Sequence, residues 1–521
     1  MSAGGAGDAG SHVLAVDLGT GAAKVALVSR KGTVAGWALR PIPTHHLPGG
    51  GVEQDPDEWW SAVAAAAREA LAASGLGAAD VRAVRCTTQW AVTVPVDAGG
   101  RAVGRAISWM DTRGGPHVRR VAGGRLAGYN ARRLRRWIRL TGGAPVLGGV
   151  DGFGHALYLK HEQPAIYGAA DKLLEPADYL NLRMTGVAAA SFGTIYPYWL
   201  TDNRDPRRID YDDTLVGYAG IDRAKLPDLV PMDAVVGGLL PETAAELGLA
   251  AGTPVLAGTT DLESAAVGAG AVRNGQGYFS IGTTSWLSCH VATKRSDIRH
   301  MIATMPAALP GRYVVVAEQG MAGRCLEWLR ATLVDEPYEE LERMAATVPA
   351  GSDGLIFTPW LGGVSVPTED FTTRSAFFNQ SARTTRAHYV RAVMEGVAYN
   401  LRWLRPYVER LARTRFTELA FVGGAGQSDT WGQILADVLG VPIRRVAEPR
   451  LANAVGCGLL AFAALGDIAE EELSERVPIG RVFEPDPDAV AIYDHSFAAF
   501  LGLYKAGKPV YRRLNRGAGP R

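Results

Sequence analysis

The sequence predicts an α/β protein built from two domains. Its 521 residues exceed what one hydrophobic core usually fills, so two domains of roughly 200–260 residues are expected. Strand-type and helix-type segments alternate along the chain, which is typical of α/β folds. A motif of strand, Gly-Thr turn and strand also occurs near the beginning of each half, and this favours a duplicated domain.

The composition excludes several classes of protein. Hydrophobic residues make up 47% and charged residues 21% of the chain, which excludes a disordered or fibrous protein. Lys and Arg number 54 against 53 Asp and Glu, so the net charge is +1. A protein whose main partner is nucleic acid normally carries a basic excess. We therefore expect no nucleic-acid partner.

The ends of the chain, its apolar runs and its cysteines predict a soluble, cytoplasmic protein. Residues 1–11 are rich in Gly and Ala without the regions of a signal peptide, so we interpret them as a flexible leader. Apolar runs such as 62–67 are much shorter than the roughly 20 residues of a membrane span, and no membrane partner is expected. The four cysteines form no Cys-x-x-Cys pair. They indicate free, buried thiols in a reducing compartment, with neither a disulfide framework nor a zinc site.

The first half opens with a predicted β-hairpin. Strand-type runs at Val13–Val16 and Lys24–Val28 flank the turn Gly19-Thr20-Gly21. An Ala-rich helix is expected from Glu58 to Ala73, followed by strands at 81–86 and 91–96.

The boundary between the domains is predicted near residues 250–256. The region 212–253 is rich in loops and prolines, and a new strand begins at Val255. The resulting domains are 12–254 and 255–515.

The second half repeats the opening pattern and then alternates strands and helices. Residues 278–284 parallel residues 15–21 about 260 positions later. The chain closes with a strand at Leu419–Val422, a Gly-rich turn, and a helix at Ser428–Leu439. Further helices are expected at 453–465 and around 497–504.

Three Gly-rich turns that leave strands are candidate phosphate-binding loops. They are Gly19-Thr20-Gly21, Gly282-Thr283-Thr284 and Gly423-Gly424-Ala425-Gly426. Glycine lets the backbone approach a phosphate, and backbone N–H groups with Thr hydroxyls offer donors to its oxygens. A tight hairpin is the simpler interpretation of each turn and stays open. Neither a P-loop nor a Rossmann motif is present.

Two carboxylates, Asp17 and Asp261, lie at strand ends beside such turns. Phosphoryl transfer needs phosphate oxygens bridged by a metal ion and a base that accepts the proton of the attacking hydroxyl. An Asp beside a flexible turn suits both tasks. An Asp that merely caps its turn is an equally good interpretation of either residue alone.

Taken together, these elements resemble the FGGY carbohydrate kinases, which belong to the actin-like, ribonuclease-H-fold superfamily. The resemblance runs from Val13 to about Leu514 and implies two actin-like (ribonuclease-H-like) α/β domains with the active site in the cleft between them. It is carried by seven segments in family order: Asp17-x-Gly-Thr-x-x-x-Lys24, Trp109-Met110-Asp111-Thr112-Arg113, residues 157–180, residues 257–270, Ser280-Ile281-Gly282-Thr283, Phe377-Phe378, and residues 423–428.

The resemblance implies a role for each matching residue. Asp261 would be the general base on the sugar hydroxyl, and Asp111 with Gln89 and Trp90 would contact the sugar. The remaining implied contacts are with ATP and involve Asp17, Thr20, Lys24, Gly282, Thr283, Gly424, Ala425 and Ser428. Asp17 would also contact the magnesium ion that is bound to the ATP phosphates.

Departures from the family pattern concern the substrate. Xylulose kinases typically carry Met-His, and glycerol kinases Arg-Glu, where this chain has Trp90-Ala91. The residue after Asp261, often Gln or Asn in the family, is Leu262, and the family's charged Gly-Glu-Arg-x-Pro loop is here residues 363–367 without charges. Trp90 offers a flat apolar face to a sugar, although ordinary core packing of Trp90 stays open.

A cluster of five arginines at 132, 133, 135, 136 and 139 is interpreted as the solvated face of an amphipathic helix. An anion-attracting rim near the cleft is the alternative.

These observations predict a cytoplasmic ATP-dependent sugar kinase, with a ketopentose such as D-xylulose as its first expected substrate. A kinase for another polyol, ketose or aldonate of the family is an alternative. A catalytically silent sugar or nucleotide sensor is a second alternative, disfavoured by the joint presence of Asp17, Thr20, Asp261 and Thr283. A chaperone-type ATPase would need a peptide-binding domain for which the chain has no room. A homodimer is left open as the assembly.

Overall fold

The structure is a computed structural model that describes residues 10–516. The predicted leader, residues 1–11, lies outside the described residues except for its last two positions. The strands of the first half, β1 to β17 in chain order, are His12–Leu18, Ala22–Ser29, Val34–Pro41, His45–Leu47, Gly51–Gln54, Val81–Thr88, Val94–Val96, Ala106–Ile107, Gly123–Leu126, Lys172–Leu174, Ala189–Ser191, Thr201–Asp202, Asp210–Tyr211, Asp228–Val230, Val235–Gly238, Pro254–Leu256 and Thr259–Thr260. The strands of the second half, β18 to β28, are Gly277–Ile281, Ser285–Val291, Ser296–Asp297, Ile302–Pro306, Tyr313–Val316, Glu318–Gln319, Ile356–Thr358, Ala376–Phe378, Leu419–Val422, Ile443–Val446 and Ile479–Phe483.

The α-helices alternate with these strands throughout both halves, as the sequence predicts. In chain order, α1 to α15 are Pro56–Ser74, Gly115–Ala122, Ala131–Leu140, Gly152–Glu162, Pro164–Ala169, Pro176–Thr185, Asp213–Ala219, Pro241–Leu247, Asp261–Gly268, Gly323–Leu329, Tyr338–Ala346, Arg386–Ala412, Asp429–Leu439, Ala452–Ala464 and Pro487–Leu514. The predicted helices at 58–73, 428–439 and 453–465 are found within two residues of these bounds, whereas the C-terminal helix is much longer than predicted. The strand predicted at 91–96 is confined to β7.

Two large sheets have the same topology. In the first, the strands run in the order β3-β2-β1-β6-β16-β15, and in the second the corresponding part runs β22-β19-β18-β26-β27-β28. Each begins with three antiparallel strands, continues with two parallel neighbours, and ends with an antiparallel edge strand. This repetition confirms the predicted duplication and the two-domain α/β fold.

Alternation along β1 places helices on both faces of the first sheet. Successive strand residues point to opposite faces, so Leu14 and Val16 pack with α1, while Val13 and Ala15 pack with α14. All four side chains are fully buried. Asp17 continues the face of Val13 and Ala15, and the carboxylate therefore lies on the side of α14.

The pairing of the strands corrects the predicted domain boundary. Strand β16 pairs in parallel with β6 at Val255 and Val84, and β17 also pairs with β6. Residues 254–260 therefore complete the first sheet, although the prediction assigned residues 255–260 to the second domain. The passage between the sheets lies between Thr260 and Gly277, through α9.

Helices α9 and α14 cross in close contact between the two halves. A Cβ atom added to Gly456 of α14 would lie 1.9 Å from the carbonyl oxygen of Ser264 and 2.6 Å from the nitrogen of Gly268 in α9. Only glycine permits this approach of the two backbones. A second contact joins the halves where the Lys294 ammonium donates to the last carbonyls of α3, including that of Leu140 at 3.0 Å.

The arginine cluster lies on α3, as predicted for an amphipathic helix. Trp137 and Leu140 are buried, while Arg132, Arg135 and Arg139 are exposed. The four cysteines are buried and unpaired, which confirms their predicted state. Among residues 10–516, every helix is too short or too polar to cross a lipid bilayer.

Candidate active site

Asp17 is buried near the C-terminal end of β1, where only Leu18 follows it in the strand. Lys24 stands directly opposite in the hairpin register, and its ammonium forms an ion pair with one oxygen of the Asp17 carboxylate. Asp17 is 1% exposed. The predicted hairpin thus holds a carboxylate and its cation together at the point where the strand reaches the cleft.

Asp261 lies at the same end of the first sheet as Asp17. Thr88 of β6 pairs with Thr260, and the Thr87 hydroxyl donates to the Thr260 carbonyl at 3.0 Å. Asp261 is the next residue and the first of α9, whose N-cap is Thr260. Because β1 and β17 both pair in parallel with β6, Asp17 and Asp261 lie at the same end of the sheet, where these strands terminate.

The surroundings of Asp261 give its carboxyl the properties of a base. It is partly buried and accepts from its neighbouring backbone N–H, that of Leu262, at 2.8 Å. Burial, with the charges of Glu318 and Asp17 nearby, raises the pKa of Asp261 to about 7. Glu318 comes from β23 of the second sheet and is exposed to solvent, so carboxylates from both halves of the chain meet here.

A hydrogen-bonded network lies behind the first Gly-rich turn. The Thr20 hydroxyl donates to the Gln89 amide oxygen at 3.0 Å and accepts from the Trp109 indole N–H at 3.0 Å. The Gln89 amide in turn donates to Gln54 at 2.6 Å, which itself donates to the Thr20 carbonyl at 2.7 Å. This network sets the shape of the turn, and contacts of Thr20 with phosphate and of Gln89 with sugar stay predictions.

Asp111 is fully buried, and its carboxylate oxygens accept hydrogen bonds from other groups of the protein. Arg113 donates to both of its oxygens, and the Val52 backbone N–H donates to Oδ2 at 2.9 Å. Arg113 also bridges to Glu53 at 2.6 Å and to the Tyr158 hydroxyl at 2.8 Å. Substrate binding by Asp111 therefore stays a prediction, and it would require one of these hydrogen bonds to be exchanged.

The second Gly-rich turn presents an open backbone surface. Gly282 and Thr283 are exposed, and a Cβ atom added to Gly282 would meet nothing within 4 Å. Carbonyl groups of this turn accept from the first residues of α10 and its flank, as in the 2.9 Å bond from Gly323 to Gly282. The carbonyl groups of the turn are thus hydrogen-bonded to the protein, whereas Gly282 has open space beside it. That arrangement suits the binding of phosphate by backbone N–H groups.

The third Gly-rich turn lies between β26 and α13. Gly424 is exposed with open space around it, whereas Ala425 is partly buried. The Ser428 hydroxyl caps α13 by accepting from the Trp431 N–H at 2.9 Å and also bonds to Glu342. Ser428 therefore stabilises the turn in this structure, and its contact with adenosine stays a prediction.

Trp90 belongs to an apolar wall that begins beside Asp261. Its ring stacks on Tyr196, with centroids 5.9 Å apart and planes 15° from parallel. Tyr196 packs in one cluster with Leu262 of the first half and Met305 of the second. Trp90 itself stays partly exposed, so its packing and an exposed face occur together.

Several of these residues carry no signal in the sequence. Glu318 lies outside every motif and reaches Asp261 only through the approach of the two halves. Gln54 and Tyr196 likewise show no motif. Arg113 could have been found, because it belongs to the Trp-x-Asp-x-Arg segment next to Asp111.

Comparison with known proteins identifies the family of the chain. The profile of the FGGY family of carbohydrate kinases, N-terminal domain, matches residues 12–268, and that of the C-terminal domain matches residues 277–465. A xylulose kinase of Bacillus subtilis (strain 168) is 26% identical over 513 residues, covering 96% of this chain and 98% of the relative. A glycerol kinase of Bordetella parapertussis is 28% identical over 500 residues, covering 92% of this chain and 93% of the relative.

A solved structure extends this likeness to three dimensions. The crystal structure of a xylulose kinase from Rhodospirillum rubrum superposes with a TM-score of 0.79 at 26% identity, covering 96% of this chain and 100% of that one. Both family profiles together span most of the sequence. The chain therefore belongs to the FGGY family of carbohydrate kinases.

Proposed function

We propose that this protein transfers the γ-phosphate of ATP to a hydroxyl group of a small ketose, with a ketopentose such as D-xylulose as the first candidate. The proposal rests above all on Asp261. Its carboxyl lies between the two halves of the chain, and its pKa of about 7 suits a base that must accept a proton near neutral pH. The relatives named xylulose kinase support the choice of sugar.

In this mechanism Asp261 accepts the proton of the sugar hydroxyl while that oxygen attacks the γ-phosphate. Lys24 holds Asp17 at the sheet edge, and the backbone around Gly282 and Thr283 binds phosphate oxygens from the opposite side. The turn at Gly424 and Ala425 borders the nucleoside. Positioning and neutralisation of charge provide most of the catalysis in phosphoryl transfer.

The residues present fit a magnesium ion that enters with ATP. The described residues contain no group of three or more His, Cys, Asp or Glu side chains that could hold a metal ion by themselves. One oxygen of Asp17 pairs with Lys24, and carboxylate oxygen is a ligand that Mg²⁺ prefers when substrate phosphates supply others. Asp17 would hold the ion, which when bound neutralises charge on the phosphates.

A coupled assay of ADP release over ketopentoses, aldoses, polyols and aldonates tests the proposal. Turnover above the sugar-free rate with a ketopentose is the expected result. Failure of every sugar, with ATP still bound, would favour the alternative of a silent sensor. A cytoplasmic location, independence of nucleic acid and a homodimeric state stay predictions.

Glycerol is expected to be a poor substrate in the same panel. Trp90 and Ala91 occupy the two positions where the family resemblance places a charged pair in glycerol kinases, and neither can hydrogen-bond through its side chain as that pair would. Sites that lose their polar partners discriminate strongly. Glycerol as the best substrate of the panel would contradict this interpretation of residues 90 and 91.

A further inference from the structure

We infer that the preferred acceptor is a ketose or polyol in which one carbon lacks its hydroxyl group, so that a methyl or methylene group faces an apolar wall. Trp90 is the partly exposed surface of this wall, and the buried side chains of Tyr196 and Leu262 pack in one cluster with it. This inference rests on the proposed kinase function and narrows its class of substrate. Three observations support it: the position of the wall, its chemistry, and the engagement of the polar groups around it.

The register of the first sheet places the wall beside the general base. Thr88 and Thr260 are paired neighbours on parallel strands. Trp90 follows Thr88 by two residues. Asp261 and Leu262 follow Thr260 by one and two residues. Trp90 and Leu262 therefore lie just beyond strands that terminate at the same end of the sheet as the Asp261 carboxylate.

The loop that carries Trp90 is held in one conformation. The Gln89 backbone N–H donates to the Leu18 carbonyl at 2.8 Å, and the Val92 N–H donates to the buried Glu175 carboxylate at 3.1 Å. Between them Ala91 has φ of 57°, a left-handed conformation that non-glycine residues seldom adopt and that recurs at functional sites. Trp90 is thus a positioned side chain.

The wall offers the ring of Trp90 and lacks two polar side chains of the family pattern, since Leu262 replaces the Gln or Asn after Asp261 and Ala91 replaces the histidine of the Met-His pair. Leu262 is 4% exposed and packs with Tyr196 and Met305, in the place of the Gln or Asn expected from the resemblance. Trp90 stacks in parallel on Tyr196, in the place of the methionine of the Met-His pair. A hydroxyl pressed against these faces would lose its bonds to water without gaining others, which is unfavourable.

The two polar residues that the family resemblance assigns to the sugar, Gln89 and Asp111, are already engaged by the protein. Gln89 is hydrogen-bonded to Thr20 and Gln54, and Asp111 is hydrogen-bonded to Arg113 and to the Val52 N–H. Neither Gln89 nor Asp111 is therefore free to hold a hydroxyl group beside Trp90 without exchanging a hydrogen bond. A substrate whose carbon at this position carries no hydroxyl group matches such a surface.

Matched pairs of sugars test the inference. We would measure kcat/KM for D-xylulose against 1-deoxy-D-xylulose, and for a ketohexose against its 6-deoxy analogue. At least one deoxy sugar is expected to exceed its parent by about tenfold or more, since apolar pockets discriminate by about 10–200-fold for a single small group. A preference for the parent sugar in both pairs would overturn the inference and leave the kinase function intact. No turnover of any sugar would overturn the proposed function itself.

Variants assign the preference to the wall. Leu262→Asn supplies an amide beside the base and should lower the ratio of deoxy to parent kcat/KM about tenfold. Trp90→Gln should act in the same direction, and because Trp90 is partly exposed this variant tests the wall even if Leu262→Asn does not fold. Leu333→Asn, a change at a leucine that is 51% exposed in the second half, is the matched control and should leave the ratio unchanged. An unchanged ratio in every folded wall variant would overturn the assignment.

Discussion

At the scale of single residues, Asp261 combines a carboxylate in the cleft with a pKa of about 7. Asp261→Asn should lower turnover by about 10²–10⁴-fold, because the variant keeps the shape of the side chain and removes the proton acceptor. Helix α9 should still form, since its N-cap is Thr260. Affinities for ATP-magnesium and sugar are expected to stay within about tenfold of the parent, which calorimetry and steady-state kinetics can measure.

Asp17→Asn provides the contrast. Its proposed partners are phosphate and magnesium, so this variant should impair the use of metal-bound ATP rather than proton transfer alone. Near-parental turnover of Asp261→Asn would remove that residue from the mechanism.

Glu318 should contribute, after burial, to the pH dependence of the reaction by raising the pKa of Asp261. A base works when deprotonated, so kcat/KM is expected to rise with pH through about 7, the pKa of Asp261. The negative charge of Glu318 contributes to this raised pKa. Glu318→Gln removes that charge, lowers the pKa of Asp261, and should move the rising limb to lower pH. Glu339→Gln on the exposed side of α11 is the control, and a limb that stays in place in Glu318→Gln would contradict the coupling.

At the scale of elements, helix α9 begins at Asp261, and its crossing with α14 joins the two halves. Gly456→Ala should destabilise the protein by about 1–3 kcal/mol or more, because overpacking forces the backbones apart, and it should reduce turnover by displacing Asp261. Gly502→Ala in α15 is a matched control, since that glycine is also helical but has nothing within 4 Å of its added Cβ. It should be neutral or stabilise by up to about 1 kcal/mol. Denaturant unfolding measures both, and equal stability of the two variants would contradict the close crossing.

At the scale of the whole molecule, the Gly-rich turns that we propose to bind phosphate lie on both sides of one cleft, and this predicts closure around the substrates. The turns at Gly19 and Gly282 belong to different sheets, so binding of sugar and nucleotide together should draw the halves closer and exclude water from the transferred phosphate. ATP hydrolysis without sugar should consequently be slow.

Small-angle scattering and hydrogen exchange test this closure. With D-xylulose and a non-hydrolysable ATP analogue, the radius of gyration should fall and the three Gly-rich turns should gain protection. The amides of α9 and α14 should change little, because their close contact already joins the halves. An unchanged envelope and unchanged exchange under saturating ligands would count against closure.

Local features of the fold and site could be predicted from sequence because they depend on short-range chemistry. The hairpin around Gly19-Thr20-Gly21 places Asp17 opposite Lys24 by register alone. The ends of α1 and α13 follow from capping residues and glycines in the sequence. The repeated turn at Gly282 predicted the duplicated sheet that the topology confirms. The motifs, taken together, also indicated the FGGY family.

Long-range pairing decided the rest. Proline and loop composition placed the boundary before Val255, but the partner of that strand is Val84, far away in the chain. A pattern of single residues cannot show such a partner. For the same reason the sequence could not show that Arg113 donates hydrogen bonds to Asp111. It also could not show that burial and the charge of Glu318 raise the pKa of Asp261. The packing of Trp90 in one cluster with Tyr196 and Leu262 was equally hidden. Residue types and local turns were determined by the sequence, whereas the charge, exposure and neighbours of each site residue were decided when distant segments packed together.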